Sequence, residues 1–436
     1  MRPFLLALFV LPLFVKAQAI ADKADALLTA YADQQKFSGA VLIAKEGKIV
    51  FEKAYGYADR NAQRLNTVQT EFRVGSLTKM FTSTVILQLA AESKLSLADP
   101  VSKYVPGFAN GKKIQLIHLL SHTSGIKGHT ESPEPQTLVQ SVARFKTETP
   151  AFQPGAQFEY NNFNYILLSY IAQKVTGIPY PQLVKERVLD KAGMTHSGLD
   201  KTDRKSEQKA LGYVTNPETA AWQEANAGNV ALASGAGALY STVEDLYRWS
   251  QAVAKKTVLP EATLAKVMKP VLNNYGLGWM TSKDNGHVQV GHTGSIPGFI
   301  ANFMRFPQED VTIVFLSNYQ DLDGRQLTKD LSAVVFGNQY ALPVKKQAVV
   351  LPADVLKRYA GEYKLPNGFG ITVTVTDNRI YALAQGDQSE IELTPESEKK
   401  FFLKGPETTI EFIEEDGAVK YMFVDLQGGQ KFTKVK

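Results

Sequence analysis

The chain contains no cysteine. That absence removes disulfide frameworks, thiolate zinc sites, iron–sulfur clusters and cysteine nucleophiles in one step. It also removes a cysteine-linked lipid anchor. The sequence has no lysine/arginine tract: 48 basic and 43 acidic residues leave a net charge of +5, spread along the chain. No nucleic-acid partner is expected. There is no internal repeat, no low-complexity segment, and beyond the amino terminus no stretch apolar enough for a transmembrane helix. What remains is ordinary for a folded protein. Of 436 residues, 44% are hydrophobic and 21% charged, with 20 prolines and 32 glycines, enough material for two or three domains.

The amino terminus stands apart. Arg2 is followed by the apolar run Phe4 to Val15, shorter than the roughly 20 residues that span a bilayer. The run ends at Lys16 and Ala17-Gln18-Ala19, a small-x-small cleavage pattern. Together these predict a secretory signal peptide over 1–19; a buried core helix is the alternative. Without Arg2 and Lys16 the net charge falls from +5 to +3. The mature chain is expected to be soluble and exported, periplasmic or secreted.

Ile20 to Gln34 has helical spacing, and Gly39–Lys45 and Lys48–Ala54 flank Glu46-Gly47 as a hairpin. Ser76 to Leu95 is apolar almost all round, which predicts a helix buried on every side. Short helices and Pro/Gly-rich connections fill about 98–270. Strands return at His287–Val290, Ile300–Phe306 and Val311–Ser317. An early hairpin joined to late strands, with helices between, is an α/β or α+β plan rather than a βαβ repeat. Composition changes at Ala341–Lys346. From Tyr359 on, alternating runs at 371–375, 380–383, 390–393, 400–403, 409–412 and 420–424 are linked by turn formers such as Asp377-Asn378 and Asp416-Gly417. They predict a small antiparallel barrel or sandwich. The expected division is 20–345 and 353–436.

Lys79 lies inside the apolar segment Ser76-Leu-Thr-Lys-Met-Phe-Thr-Ser-Thr-Val-Ile-Leu, where a lysine is costly unless paired or functional. Ser76 precedes it by three residues, so the two share a helix face. A serine needs such a neighbour to take its proton, and lysine can do so once burial or nearby cations lower its pKa. The spacing recurs at Ser206/Lys209, in a charged run, and at Ser397/Lys400, after a turn; both read as solvated surface. Taken alone, Ser76 is equally an N-cap. Phe158-Glu-Tyr160-Asn-Asn162 holds the one Tyr-x-Asn of the chain; alone, Tyr160 reads as a core anchor. Gly291-His292-Thr293-Gly294-Ser295 follows the strand 287–290, as a strand lining a cleft would. His196-Ser-Gly has no strand before it and reads as a turn.

These three elements, in this order, resemble the serine β-lactamase and penicillin-binding peptidase superfamily, whose motifs are Ser-x-x-Lys, Ser-Asp-Asn and Lys-Thr-Gly. Here the second is Tyr160-x-Asn162 and the third His292-Thr-Gly. The chain looks like the branch of class C β-lactamases, D-alanyl-D-alanine peptidases and related esterases. Softer matches are Gly56–Asp59, Leu119–Gly125, Ser234–Ser241 with Glu244–Leu246, and Tyr275–Trp279. The resemblance covers about 25–340 and implies an α/β fold, a β-lactamase/transpeptidase-like antiparallel sheet flanked by helices plus a helical subdomain. The remainder resembles the lipocalin-like barrel of some members.

The resemblance also implies roles. Ser76 would be the acylated nucleophile, with Lys79 and Tyr160 sharing its proton. Asn162 would position Lys79 and bind the substrate amide. His292 would supply polar or positive character across the cleft, and Thr293, beside Gly294, would bind a substrate carboxylate or carbonyl. The backbone N–H groups of Ser76 and Ser295 would form an oxyanion hole. Many relatives have lysine at the place of His292, and a partly charged histidine holds a carboxylate less firmly.

His118, His122 and His129 mimic a zinc-protease helix, but Leu119 stands where its glutamate is needed. No Gly-x-Ser-x-Gly elbow is present, and Gly107–Lys113 is a turn rather than a phosphate loop. The expected protein is a serine hydrolase without metal or cofactor, acting through an acyl-enzyme on Ser76. Its substrate would be an ester or amide, small molecule or peptide, including D-amino-acid peptides of cell-wall origin. A class C-like β-lactamase and a non-catalytic peptide- or sugar-binding protein are the alternatives.

Overall fold

Glu46 and Gly47 both take positive φ, 52° and 73°, the geometry of a two-residue type I′ turn. They join β1 (Gly39–Lys45) to β2 (Lys48–Tyr55). The computed structural model describes residues 11–435 except 128–136, 147–149, 202–203, 217–218, 220, 227, 344–346, 388, 404–407 and 426–428. Four late strands complete the first sheet: β3 (Met280–Asp284), β4 (His287–Ile296), β5 (Phe299–Phe306) and β6 (Val311–Ser317). The spatial order is β3-β4-β5-β6-β1-β2, antiparallel throughout.

Helices cover both faces of this sheet, which is why its central strands read as continuous apolar runs. Val41 pairs across from Lys53, and Lys53 and Tyr55 both reach Asp25 of α1 (Leu11–Asp33). The Val41 face is therefore the α1 face. Ala40, Leu42 and Ala44 point the other way, into a core shared with α2 (Thr78–Ala91). In α2 every residue from Thr78 to Leu87 is buried, and Phe81 stacks on Trp249 at 4.6 Å.

Three expectations change. The buried helix is shorter than Ser76–Leu95: Gly75–Leu77 form a 3-10 turn ahead of it, and Ser93, at φ 56°, stops it with a bond from Lys94 N to Leu89 O. Strand β4 does not end before Gly291 but runs through the whole Gly291–Ser295 motif. The charged run 201–209 is not simply solvated. Arg204 bridges Glu71 and Asp200, Arg73 also pairs with Asp200, and Ser206 bonds Glu71 at 2.9 Å. Ser397 and Lys400 are exposed, as expected.

The chain divides into two compact units. One runs to Val214 and resumes over Gln223–Leu342; the other comprises Thr215–Trp222 and Pro343–Lys436. The second holds a closed eight-stranded barrel. Its two-residue turns Asp377-Asn378 and Asp416-Gly417 have positive φ throughout, the type I′ geometry that those residues favour. Tyr359, Tyr363, Phe401, Phe412 and Phe432 fill its core. The strands Gly361–Lys364 and Gln430–Lys434, which are not among the predicted runs, pair to close it.

Candidate active site

Two glycines bring β4 against the turn that carries Ser76. Gly75 sits at φ 51°, and a Cβ there would lie 2.9 Å from Ser295 O and 3.0 Å from Ser295 N. A Cβ on Gly294 would lie 2.0 Å from the Val74 carbonyl oxygen. Side chains at either place would push the strand away, so their absence sets the backbone of Ser295 beside Ser76. Along β4, His292 and Gly294 are buried while Thr293 and Ser295 are exposed, the alternation a strand imposes.

Lys79, one turn into the buried region, is fully buried. Its Nζ lies 2.9 Å from Ser76 Oγ, 2.8 Å from Asn162 Oδ1 and 2.8 Å from the Ala236 carbonyl oxygen. Burial holds its pKa well below the usual lysine value. Among the described residues no carboxylate pairs with it. A neutral amine has two N–H donors and one lone pair. Asn162 Oδ1 and Ala236 O can only accept, so they engage both N–H groups and leave the lone pair directed at Ser76 Oγ. The site is thus arranged to take a proton from Ser76.

Each partner of Lys79 is held by its own element. Asn161 caps α4 (Asn162–Thr176), its side chain accepting from Phe163 N at 2.8 Å, and so places Asn162 at the first helical position. Ala236 belongs to the turn Ser234–Gly237. There a Cβ on Gly235 would meet Ser169 and Tyr165 at 2.8 Å, and Thr82 Oγ1 donates to Gly235 O at 2.6 Å.

The Tyr160 hydroxyl faces Ser76 closely enough for the serine to act on its ionisation, and Lys79 Nζ stands 4.8 Å from its ring centroid. Burial around the hydroxyl raises its pKa above the ordinary tyrosine value, although 42% of the residue is exposed. It therefore rests as a phenol. His292 is buried, its Nδ1 donating to Thr293 O at 2.5 Å and its Nε2 accepting from Tyr275 OH at 3.0 Å. Burial above all pushes its pKa down to about 3. Of the polar or positive character expected of His292, the neutral imidazole supplies only the polar. Thr293 Oγ1 reaches Met280 Sδ at 3.9 Å.

Ser76, Lys79 and Asn162 are thus in one hydrogen-bonded cluster with the Tyr160 ring against Lys79, and Gly294 and Ser295 stand at its edge. Three contributors were not assigned to the site from the sequence: the Ala236 carbonyl, Tyr275 and His122, the last considered only as part of a zinc-protease-like pattern. Their segments are the glycine-rich Ser234–Ser241, Tyr275–Trp279 and Leu119–Gly125. A backbone carbonyl leaves no residue-type signal, so only the turn-forming glycines hinted at it. His122 lies under Tyr160, with ring centroids 4.3 Å apart; His129 lies outside the described residues.

Residues 24–335 match the Beta-lactamase family model, and residues 345–435 match a domain of unknown function, DUF3471. The chain is 35% identical to the putative penicillin-binding protein PbpX of Bacillus subtilis (strain 168), over 67% of this chain and 73% of that protein. It is 28% identical to penicillin-binding protein 4* of the same organism, over 93% and 96% respectively. A D-stereospecific amidohydrolase from Streptomyces sp. superposes with a TM-score of 0.60 at 29% identity, covering 73% of this chain and 98% of the other. The fold also matches the octameric penicillin-binding protein homologue from Pyrococcus abyssi, with a TM-score of 0.68 at 23% identity over 94% and 99% of the two chains.

Proposed function

This chain belongs to the beta-lactamase family of serine hydrolases, and from that membership we propose that it is exported and cleaves an ester or amide through an acyl-enzyme on Ser76, with D-amino-acid peptides as its substrate class. The observation that carries the reading is the buried Lys79 amine, engaged by Asn162 and Ala236 and directed at Ser76 Oγ. In the first half-reaction Ser76 Oγ attacks the substrate carbonyl carbon while its proton passes to Lys79. The oxyanion is held by the N–H groups of Ser76 and Ser295. The intermediate collapses to the acyl-ester, and the leaving alcohol or amine takes a proton from the Tyr160 phenol, which Lys79 replenishes. Water then attacks the ester carbonyl and gives a proton to the Lys79/Tyr160 pair; the tetrahedral intermediate collapses, Ser76 Oγ leaves and takes that proton, and the acid is released.

Similarity to the D-stereospecific amidohydrolase from Streptomyces sp. supports the substrate class. The neutral state of His292 argues against an efficient β-lactamase, because it offers a β-lactam carboxylate no positive charge. Export rests on the amino-terminal run, and two domains, 20–345 and 353–436, remain our reading of the chain's organisation.

The test is intact mass of residues 20–436 mixed with benzylpenicillin or p-nitrophenyl acetate, beside the Ser76→Ala variant. A lasting penicilloyl adduct on Ser76 is expected, with ester hydrolysis at least about a thousandfold slower in the variant. Fast drug loss with little adduct would favour a β-lactamase. Unchanged hydrolysis by Ser76→Ala would overturn the acyl-enzyme and leave the binding-protein alternative.

A further inference from the structure

The helix α3 (Leu116–Leu120) ends with two bonds, His122 N to Leu119 O at 3.4 Å and Thr123 N to His118 O at 2.8 Å. Just past that end, His122 takes φ 57°. That is the position where a helix usually ends in glycine, since only glycine adopts it without strain. Here the strained backbone places a fully buried imidazole, and a strained residue beside a cluster of reactive groups calls for a functional account.

Both the backbone and the ring of His122 hold the segment that carries Tyr160. The His122 carbonyl accepts from Glu159 N at 2.9 Å, and His122 Nδ1 accepts from Asn161 N at 3.1 Å. The residues on either side of Tyr160 are therefore bound to one residue. Asn161 Nδ2 donates to Ile126 O at 2.6 Å, and Ser124 Oγ donates to Asn164 Oδ1 at 2.8 Å. These bonds extend the grip into α4, which carries Asn162. Because Nδ1 accepts, the ring proton is on Nε2. That atom is buried without a hydrogen-bond partner, and the ring lies 4.3, 4.8 and 5.1 Å from those of Tyr160, Tyr275 and Tyr165.

We infer that His122 is a positioning residue for the acyl-transfer chemistry, clamping the Tyr160–Asn162 segment so that the phenol and the amide meet Ser76 and Lys79. The inference rests on the acyl-enzyme reading above. The role requires a neutral ring, because a protonated Nδ1 could not accept from Asn161. The titratable groups facing it are Lys79, Tyr160, Tyr165, Tyr275 and His292. Burial above all holds its pKa well below the ordinary histidine value. His122 therefore keeps the same hydrogen bonds while Lys79 gains and loses the proton of Ser76.

The experiment compares His122→Gly, His122→Asn and His122→Gln by thermal unfolding and by p-nitrophenyl acetate hydrolysis against pH. Glycine suits the backbone but removes the ring. Asparagine tolerates the left-handed conformation and puts an acceptor near the place of Nδ1; glutamine extends past it. His122→Gly is expected to lower kcat about 10- to 100-fold with KM nearly unchanged. The rising limb of its pH profile should move to higher pH, as water reaches Lys79. His122→Asn should stay within about threefold of wild type, and His122→Gln should fall with glycine. A loss that merely tracks the folded fraction, with the pH limb in place, overturns the inference. If glycine prevents folding, equal activity of the Asn and Gln variants does the same. A wild-type chain never acylated on Ser76 would instead sink the functional reading. In that case nitrogen-15 imidazole shifts still test the clamp: an Nε2–H tautomer that does not titrate between pH 5 and 9 supports it, and a titrating ring refutes it.

Discussion

Lys79 and His292 are both buried nitrogen bases, and each stays neutral for a different purpose. Lys79 has two acceptor-only neighbours and a serine, so neutrality leaves it able to take a proton. His292 is closed between Thr293 O and Tyr275 OH, so both ring nitrogens are used and it is part of the wall. Its pKa of about 3, against 6.5 in the unfolded chain, has a consequence for stability. The unfolded chain binds the extra proton across that interval, so the native state is favoured fully above pH 6.5 and loses support as pH falls toward 3. Between pH 6.5 and 4 the loss from this group is on the order of 3 kcal/mol. Urea unfolding at the two pH values should register it in the wild type and show a flatter dependence in His292→Asn. Equal slopes would mean that the imidazole is not shut away as described. The lysine was legible in the sequence because its burial conflicts with its charge. Histidine produces no such conflict, and its charge state depended on what packed around it.

At the scale of elements, the site is a matter of how closely a strand approaches a turn. Gly294 has nothing unusual in its own backbone; what requires glycine is the Val74 carbonyl, 2.0 Å from where a Cβ would stand. Gly294→Ala must move β4 or the Gly75–Leu77 turn, and either shift separates Ser295 N from Ser76. Overpacking of this kind costs about 1–3 kcal/mol, while a displacement near 1 Å can cost catalysis about a hundredfold. The expected outcome is a folded variant, slightly less stable, whose Ser76 acylation is slowed far more than its melting point is lowered. Wild-type acylation in Gly294→Ala would refute the claim that this approach forms the oxyanion hole. The hairpin at Glu46-Gly47 and the barrel turns at Asp377 and Asp416 were readable from residues two apart. The partner of Gly294 lies more than 200 residues away in sequence, at Val74.

For the molecule as a whole, the amino terminus offers a further test. Among the described side chains of α1, Ile20, Ala24, Leu27, Leu28 and Tyr31 are packed, whereas Gln18 and Ala19 are exposed. Removal of 1–19 would leave these five packed positions in the chain. Expression of the full chain in a bacterium should yield an exported protein beginning at Ile20, read by amino-terminal sequencing; a retained Met1 would count against the signal peptide. Among the described residues, no helix is long and apolar enough to cross a membrane. Local order was largely present in the amino-acid order: the early hairpin, the buried helix and the Ser76/Lys79 pair at its start, six of the eight barrel strands, and the motifs that carry the family. These depend on spacing over a few residues, where periodicity and turn chemistry act directly. The closing strands Gly361–Lys364 and Gln430–Lys434, the carbonyl of Ala236 as a partner of Lys79, the neutrality of His292 and the grip of His122 on Tyr160 came only with the folded chain. Each depends on which distant groups meet, and a buried group's charge and hydrogen bonds are set by those neighbours rather than by its place in the sequence.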